Sequence, residues 1–374
     1  MQVPIRQQWR VGRYIIGQKL RGMKRYPLVL MLEPLFRCNL ECAGCGKIEY
    51  PDEILDQRLS IEECLRAVDE CGAPIVSIPG GEPLIHKDMA AIVAGIVARK
   101  KFVYLCTNAL LLARKIDEYT PSPYLTFSVH LDGNRERHDQ SVCRDGVFDK
   151  AVEAIQIARD RGFRVTVNCT LFQDENPEEV ADFFDYASGL GVEGVTVSPG
   201  YSYELAPRQD VFLQRSQSKT LFRRIFQLGR ARGAKWRFNQ SSLFLDFLAG
   251  NQDYQCTPWS NPTRNVFGWQ RPCYLLSEEG YAASFQELMT TTAWDRYGTG
   301  RHPKCDNCMV HCGYEGTAVN DTFAHPLKAL RVFLRGPQTE GPMAPDPPTL
   351  YRDREPLVIP VAIPLRRAST KSSS

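Results

Sequence analysis

Three cysteines, Cys38, Cys42 and Cys45, follow an apolar stretch with the spacing C-x3-C-x2-C and are the residues best suited to chemistry. Three thiolates on one short loop can hold three irons of a [4Fe–4S] cube and leave the fourth iron open to a small chelating ligand. A structural zinc site needs a fourth ligand, usually Cys or His, and neither occurs within ten residues on either side. Reduced core cysteines would fit poorly in a loop that contains Gly, Asn and Glu. We therefore interpret the triad as iron–sulfur ligands.

A Gly-Gly-Glu run, Gly80-Gly81-Glu82, ends the next predicted strand, about 35 residues after the triad. Glycines let a backbone approach a neighbouring group closely, and Glu82 offers a carboxylate at the strand end. Alone the run would be an ordinary turn. Its place behind a strand and after the triad makes it a candidate binding loop.

The cysteine spacing and the Gly-Gly-Glu run together resemble the radical SAM superfamily. That resemblance implies a [4Fe–4S] cluster whose open iron binds S-adenosylmethionine (SAM), which is cleaved to a 5′-deoxyadenosyl radical. It also implies that the Gly-Gly-Glu run holds the amino group of SAM, and that the α/β fold is a partial (β/α)6 barrel.

The elements that would position these residues alternate as short apolar runs and helical patterns, which is typical of βα units around a parallel sheet. Ser60 with Glu63 predicts a capping box at one helix start. The predicted strands are 28–32, 75–78, 102–106, 125–131, 165–171 and 195–198, and the helices between them are 60–71, 88–100, 112–118, 149–161 and 177–189. Active-site groups are expected at the C-terminal ends of these strands.

Strand alternation predicts which side chains face the barrel interior. In the strand that begins at Leu125, the aliphatic residues share one face, and Ser128, His130 and Asp132 share the other. Helices cover the outside of a parallel barrel, so the polar face points inward. Two roles are consistent with an inward His130: a catalytic residue, or a hydrogen-bonded residue of the barrel without a catalytic role. By resemblance, the residues expected to contact SAM are Gly80, Gly81, Glu82, Asn108, Ser128, His130, Asp132 and Arg144.

Alternation also separates the cysteines that lie outside the clusters. Cys106 faces inward at the end of its strand, whereas Cys169 faces outward, and Cys64 and Cys71 are predicted to be packing residues. A thiol S–H is a good hydrogen-atom donor. Cys106 is therefore a candidate hydrogen-atom donor to a substrate radical. The alternative is that Cys106 is a buried residue without a catalytic role.

A second group of cysteines lies in the C-terminal third of the chain, at Cys256, Cys273, Cys305, Cys308 and Cys312. The spacing resembles, incompletely, the auxiliary-cluster extension of the SPASM or twitch type that follows many radical SAM barrels. Five cysteines could supply four ligands to a second [4Fe–4S] cluster. A zinc knot that includes His311 and a reduced cysteine-rich core remain alternatives.

Composition limits the class of protein. The net charge of the 374 residues is only +3, which argues against nucleic acid as a partner. Thirteen cysteines without a signal peptide indicate a reducing, cytoplasmic location and metal ligation. We divide the chain into a basic amphipathic segment (1–25), the barrel (26–200), a C-terminal cysteine-containing extension (201–335) and a Pro/Arg/Ser-rich tail (336–374) predicted to be poorly ordered.

The basic segment carries seven cations and no acidic residue before Glu33, with Trp9, Tyr14 and aliphatic residues among them. This pattern is typical of a helix that lies on anionic lipid. The alternative is a helix that packs its apolar side on the barrel. The first possibility implies a peripheral contact with the inner surface of the membrane.

Longer stretches resemble the adenosylhopane synthases of hopanoid biosynthesis, over nearly the whole chain to about residue 345. They are 26–40, 71–74, 104–110, 198–201, 238–242, 265–270 and 335–337. The resemblance implies that the 5′-deoxyadenosyl radical adds to the terminal alkene of diploptene, with SAM consumed as co-substrate. It also implies an electron donor such as a flavodoxin or ferredoxin.

Two other functions remain as alternatives. One is a SPASM/twitch-type radical SAM enzyme that modifies a peptide or other small substrate. The other is a non-enzymatic iron–sulfur or zinc protein, which the Gly80-Gly81-Glu82 run disfavours.

Overall fold

The structure is a computed structural model that describes residues 3–202, 205–276 and 279–348. Its strands are β1 (Val29–Glu33), β2 (Ile75–Ile78), β3 (Phe102–Thr107), β4 (Leu125–His130), β5 (Arg164–Leu171), β6 (Val195–Pro199), β7 (Thr263–Asn265), β8 (Gly268–Gln270) and β9 (Tyr281–Ala282). They form one sheet in the order β6-β5-β4-β3-β2-β1-β7-β8-β9. Strands β1 to β6 are all parallel, as a βα barrel requires.

Helices connect and cover these strands. They are α1 (Ile5–Leu20), α2 (Asp52–Leu55), α3 (Ile61–Cys71), α4 (Met89–Ala98), α5 (Leu112–Lys115), α6 (Arg135–Ser141), α7 (Val147–Asp160), α8 (Pro177–Gly189), α9 (Arg215–Ala231), α10 (Ser242–Leu248), α11 (Phe285–Thr291), α12 (His311–Ala324) and α13 (Pro326–Arg335). Among the described helices, none combines the length and apolar character that crossing a bilayer requires.

The six strands and five helices predicted for the barrel are confirmed, and no end differs from the prediction by more than three residues. The predicted capping box is also present. The Ser60 hydroxyl accepts from the Glu63 amide at 3.2 Å, and the Glu63 carboxylate accepts from the Ser60 amide at 2.7 Å. The aliphatic face of β4, which includes Phe127 and Val129, is fully buried in the main core beneath the outer helices. The opposite face therefore lines the barrel interior.

The C-terminal extension shares the sheet with the barrel. Strand β7 pairs in parallel with β1, with Met31 opposite Thr263, and β8 and β9 continue the sheet as antiparallel strands. Helices α9, α10, α12 and α13 pack on one another, and α9 also packs on α8.

The prediction of a poorly ordered tail is wrong for residues 336–348. Asp346 accepts from Arg215 at 2.8 Å and from Lys219 at 2.5 Å, both buried cations of α9. The Ala344 amide donates to the Gly250 carbonyl at 2.7 Å. These contacts bind the segment to the extension because two buried cations need a carboxylate. Residues 349–374, the rest of the predicted tail, lie outside the described residues.

Candidate active site

The cysteine triad lies on the loop that leaves the C-terminal end of β1. The Cys45 amide donates to the Cys42 carbonyl at 3.1 Å, which closes the loop into a tight turn. All three cysteines line a cavity of about 880 Å³ that runs through the barrel interior to α1 and α12. The cavity begins at the strand end where parallel α/β folds place their active sites.

The Gly-Gly-Glu loop is docked directly on the cysteine loop. The amides of Gly81 and Glu82 donate to the carbonyls of Leu35 and Arg37, each at 2.9 Å. A Cβ at Gly81 would overlap the carbonyl oxygens of Phe36 and Arg37. The close approach that the glycines permit is therefore to the cysteine loop itself, as well as to the cavity that both loops line.

The buried Glu82 carboxylate ties this loop to the end of β3. It accepts from the Asn108 amide at 2.8 Å, the Thr107 hydroxyl at 2.9 Å and the Leu84 amide at 3.0 Å. A carboxylate has about four acceptor positions, so three bonds leave room for a ligand ammonium. Burial raises the pKa of Glu82 to about 7 despite these donors. A cationic group in the cavity would stabilise the ionised form.

A buried ion pair holds the far side of the cysteine loop. Lys47 donates to Glu33, the last residue of β1, at 2.9 Å, and both side chains are almost fully buried. Burial alone would lower the pKa of Lys47, but the Glu33 carboxylate outweighs it and the pKa is raised. The loop that carries the thiols thus starts and ends at one salt bridge.

The chemistry of the triad fits an iron–sulfur cube. Burial raises the pKa of Cys38 to about 12, and it also raises those of Cys42 and Cys45. Thiolates in such a place need bound cations to form. Among the described residues, no three Cys, His, Asp or Glu side chains converge on a single ion, whereas a cube takes one cysteine per iron. Cys38, Cys42 and Cys45 are the residues that would hold it.

His130, the last residue of β4, and Asp132, two residues later, form a hydrogen-bonded pair on the cavity wall, with 2.9 Å between Nε2 and the carboxylate. Burial lowers the pKa of His130, but Asp132 outweighs it, so the pKa is raised. Asp132 also accepts from the Ser141 hydroxyl at 2.6 Å and from the Thr170 amide at 2.8 Å. The pair is fixed in place before any ligand binds.

Ser128, Asn108 and Arg144 complete the set predicted to contact SAM. Ser128 and Asn108 line the cavity, and Asn108 donates to the Asn39 side chain of the cysteine loop at 2.8 Å. Arg144 is exposed, lies 3.5 Å from the Asn39 carbonyl and is not among the lining residues. The neighbouring Asp139 caps the start of α7 by accepting from the Gly146 and Phe148 amides.

The structure places Cys106 on the cavity wall, as strand alternation predicted. Its Sγ lies 3.6 Å from the Ser77 hydroxyl. Cys169, Cys64 and Cys71 are buried in the main core. Burial raises the pKa of Cys106 to about 11, so the side chain carries its S–H at neutral pH.

The five C-terminal cysteines come together around one small pocket of about 30 Å³. Burial and the neighbouring thiols raise the pKa values of Cys256, Cys308 and Cys312, and raise that of Cys305 to about 12. The packing is tight, since a Cβ at Gly313 would lie 2.9 Å from Cys256 Sγ. His311 lies on the wall of the large cavity instead, with Nδ1 3.4 Å from the Ser198 hydroxyl. A zinc knot that includes His311 is therefore disfavoured, because His311 and the five cysteines line different cavities.

Sequence reasoning missed two groups that line the cavity. Glu315 of α12 accepts from the Ser241 amide at 2.7 Å, while its second carboxylate oxygen is buried without a partner among the described residues. Gln7 of α1 exchanges hydrogen bonds with Tyr104 of β3 at 3.0 and 3.2 Å. The four-residue spacing of His311 and Glu315, which puts them on one helix face, was the available signal for Glu315.

Comparisons with known proteins agree with this geometry. Residues 32–187 match the Radical SAM superfamily, and residues 195–332 match a domain of unknown function, DUF3463. Residues 32–187 of the chain belong to the radical SAM superfamily. It is 29% identical over 157 residues to GTP 3′,8-cyclase of Clostridium perfringens, which covers 40% of this chain and 49% of that protein. The chain thus spans about half the length of the curated relatives it matches.

Solved structures show the same fold. Streptococcus suis SuiB bound to S-adenosylmethionine has a TM-score of 0.55 at 16% identity, covering 68% of this chain and 62% of that one. Native anSMEcpe with bound AdoMet has a TM-score of 0.56 at 15% identity, covering 83% and 100%. The radical SAM fold, a SAM-binding [4Fe–4S] cluster and a cysteine-containing extension therefore describe this chain.

Proposed function

We propose that this radical SAM enzyme adds the 5′-deoxyadenosyl radical of SAM to the terminal alkene of diploptene, a rigid C30 hydrocarbon, to form adenosylhopane. The observation that carries the proposal is the cavity of about 880 Å³ that joins the cysteine triad and Cys106 to a mouth between α1 and α12. Small-molecule sites usually measure about 300–1,000 Å³. This one is large enough for SAM and a second bulky substrate.

The charges on the cavity wall favour an uncharged substrate. The cations among the described lining residues are Arg13, at the mouth, and Lys47, which pairs with Glu33. Glu82, Asp132 and Glu315 add carboxylates. A nucleoside triphosphate needs clustered Arg and Lys to offset its charge, so this cavity disfavours the substrate that the name GTP 3′,8-cyclase records for the relatives.

The proposed reaction balances as follows. Cys38, Cys42 and Cys45 would hold a cluster that, when reduced, would supply one electron for the cleavage of SAM to methionine and a 5′-deoxyadenosyl radical. Addition of that radical to the alkene CH₂ carbon forms a C–C bond and leaves a tertiary carbon radical. Cys106 gives its S–H hydrogen to this carbon, and the resulting thiyl is restored by one electron from the external donor, a flavodoxin or ferredoxin, and one proton from solvent. The residues proposed to position SAM are those of the predicted set that line the cavity: Gly80, Gly81, Glu82, Asn108, Ser128, His130 and Asp132.

A second candidate function is a SPASM/twitch-type enzyme that modifies a peptide or other small substrate. The five cysteines around one pocket favour it, as does the shared fold with SuiB, which was also solved with its precursor peptide SuiA. Such an enzyme takes a hydrogen atom from its substrate, and the adenosyl group then leaves as free 5′-deoxyadenosine.

Anaerobic reconstitution with iron, sulfide, SAM, a chemical reductant and diploptene, followed by mass spectrometry, tests the proposal. The expected product has the mass of diploptene plus adenosyl and one hydrogen. Free 5′-deoxyadenosine with unchanged diploptene would contradict it and favour the second candidate. Cys42→Ala should form neither product, because all three cluster ligands act together.

A further inference from the structure

The mouth of the large cavity is rimmed by exposed apolar side chains. Ile5, Trp9 and Ile16 of α1 and Phe323 of α12 all line the cavity. Trp9 is nevertheless 71% exposed and Phe323 42%. Contiguous exposed apolar groups mark a surface that something else covers. Here they surround the entrance that a substrate must use.

Helix α1 carries two apolar faces. With 3.6 residues per turn, Ile5, Trp9, Ile16 and Leu20 fall on one stripe, within about 60° of one another. On the other side of the helix, Val11, Tyr14 and Ile15 pack against Tyr26 and Leu28. Packing on the barrel therefore accounts for one face only, and the second face has no cover among the described residues, with Leu20 83% exposed.

Helix α13 presents another exposed apolar face, close in sequence to Phe323. Phe323 lies against α1, since a Cβ at Gly12 would be 3.0 Å from its ring. Three residues later α13 begins, and its Leu327, Leu330 and Leu334 share one face at 81%, 50% and 72% exposure. We call these side chains the docking face: Ile5, Trp9, Ile16, Leu20, Phe323, Leu327, Leu330, Phe333 and Leu334.

The charged side chains of α1 and α13 are all cations. The segment before Glu33 holds seven cations and no acidic residue, and α13 holds Lys328, Arg331 and Arg335 and no acidic residue. Lys328 pairs with Asp321 of α12 at 2.6 Å. Arg10 and Arg13 are exposed on α1 beside the apolar stripe. Cations that flank an exposed apolar stripe match a bilayer surface with anionic headgroups.

We propose that the docking face sits on an anionic lipid bilayer, and that an apolar substrate passes from the acyl-chain region through the mouth into the cavity. The first part rests on α1, α12 and α13 alone. The second part rests on the proposed function, because it requires an apolar substrate. It extends that function by assigning α13 a role and by placing the entrance on the membrane side.

Vesicle sedimentation of the full reconstituted chain tests the first part. The lipids are phosphatidylcholine alone and phosphatidylcholine with about one-third phosphatidylglycerol. We expect binding to the anionic vesicles, at least tenfold weaker in Trp9→Ser/Ile16→Ser and at least fivefold weaker in Arg10→Gln/Arg13→Gln. Tyr186→Ser is the matched control, since Tyr186 of α8 is a 43% exposed aromatic away from the cavity lining and should bind as the wild type does.

Four outcomes would overturn the docking proposal. The first is that the wild type fails to bind anionic vesicles. The second is that Tyr186→Ser loses as much affinity for these vesicles as Trp9→Ser/Ile16→Ser does. Alternatively, light scattering shows a dimer that Trp9→Ser/Ile16→Ser dissociates, which would make a second copy the occupant. Binding that appears only after removal of residues 349–374 would likewise assign the face to the chain's own C-terminal segment.

The second part is tested by comparing the reaction rate with the alkene embedded in anionic vesicles and the rate with the alkene dissolved in detergent. For Leu327→Ser/Leu334→Ser, whose side chains do not line the cavity, the rate with alkene in anionic vesicles divided by the rate in detergent should fall at least fivefold. An unchanged ratio overturns entry from the bilayer. If no adduct forms under either condition while vesicle binding persists, the proposed function fails and the docking face stands.

Discussion

The thiol of Cys106 keeps its proton because burial raises its pKa to about 11. If it is the hydrogen-atom donor, the fraction of saturated adduct should stay constant between pH 6 and 9. Cys106→Ala should still cleave SAM and still form the C–C bond, but the tertiary radical would then lose a hydrogen to give an unsaturated adduct. Mass spectrometry distinguishes the saturated from the unsaturated adduct, because their masses differ by two hydrogens.

Cys169→Ala is the matched control, because Cys169 is also a strand cysteine but is buried in the outer core. It should lose some stability and keep the saturated product. Saturated product at wild-type yield from Cys106→Ala would mean that the hydrogen comes from another donor, with Tyr104 the next candidate.

Glu315 predicts a pH effect on stability. Burial raises its pKa to about 7, above its ordinary value of 4.5. Between these values the folded chain binds more protons than the unfolded chain, so stability falls as pH rises from about 4.5 through 7. Glu315→Gln has no carboxyl group to titrate, so this loss is absent. Between pH 5 and pH 8 the free energy of unfolding of the variant should therefore rise by about 1–3 kcal/mol relative to that of the wild type. Urea unfolding at both pH values measures it, and parallel curves for the two proteins would contradict it.

At the scale of elements, the contact between the Gly-Gly-Glu loop and the cysteine loop allows no side chain at position 81. A Cβ in Gly81→Ala would overlap two backbone carbonyls, which cannot move aside as a side chain can. We expect a loss of about 1–3 kcal/mol and lower iron content after reconstitution. Gly17→Ala in α1 is the control, because no atom lies within 4 Å of its added Cβ and it should gain up to about 1 kcal/mol. Equal iron content in both variants would show that the docked loop is not needed for the cluster.

The barrel elements could be predicted because each parallel strand is a buried run followed by a helical pattern, so local pattern and tertiary environment agree. Strands β7 to β9 were missed because runs of two or three residues have no readable period. They exist only because β1 offers an open edge for pairing. Helix α12 was missed because it contains Gly313 and Gly316, and it is stabilised by packing such as the ring of Tyr314 stacked 4.6 Å from that of Phe247.

The same distinction applies to the site. Inward orientation of Cys106, Ser128 and His130 follows from alternation along single strands, so the sequence could predict it. Gln7 and Glu315 reach the cavity from helices at opposite ends of the chain. Their placement depends on how α1 and α12 fold back over the barrel, which no local pattern records.

At the scale of the whole molecule, the fold separates two thiol sets. The triad lies at the large cavity, and the five C-terminal cysteines surround the small pocket. If each set holds one [4Fe–4S] cluster, anaerobic reconstitution should give about eight irons per chain, and about four in Cys308→Ser and in Cys42→Ser. The two variants should then differ in function. Cys42→Ser loses SAM cleavage, whereas Cys308→Ser keeps a cluster that SAM perturbs, which electron paramagnetic resonance of the reduced protein detects. Four irons in the wild type, unchanged in Cys308→Ser, would mean that the second set is a reduced core, and that its five buried thiols stabilise the extension without metal.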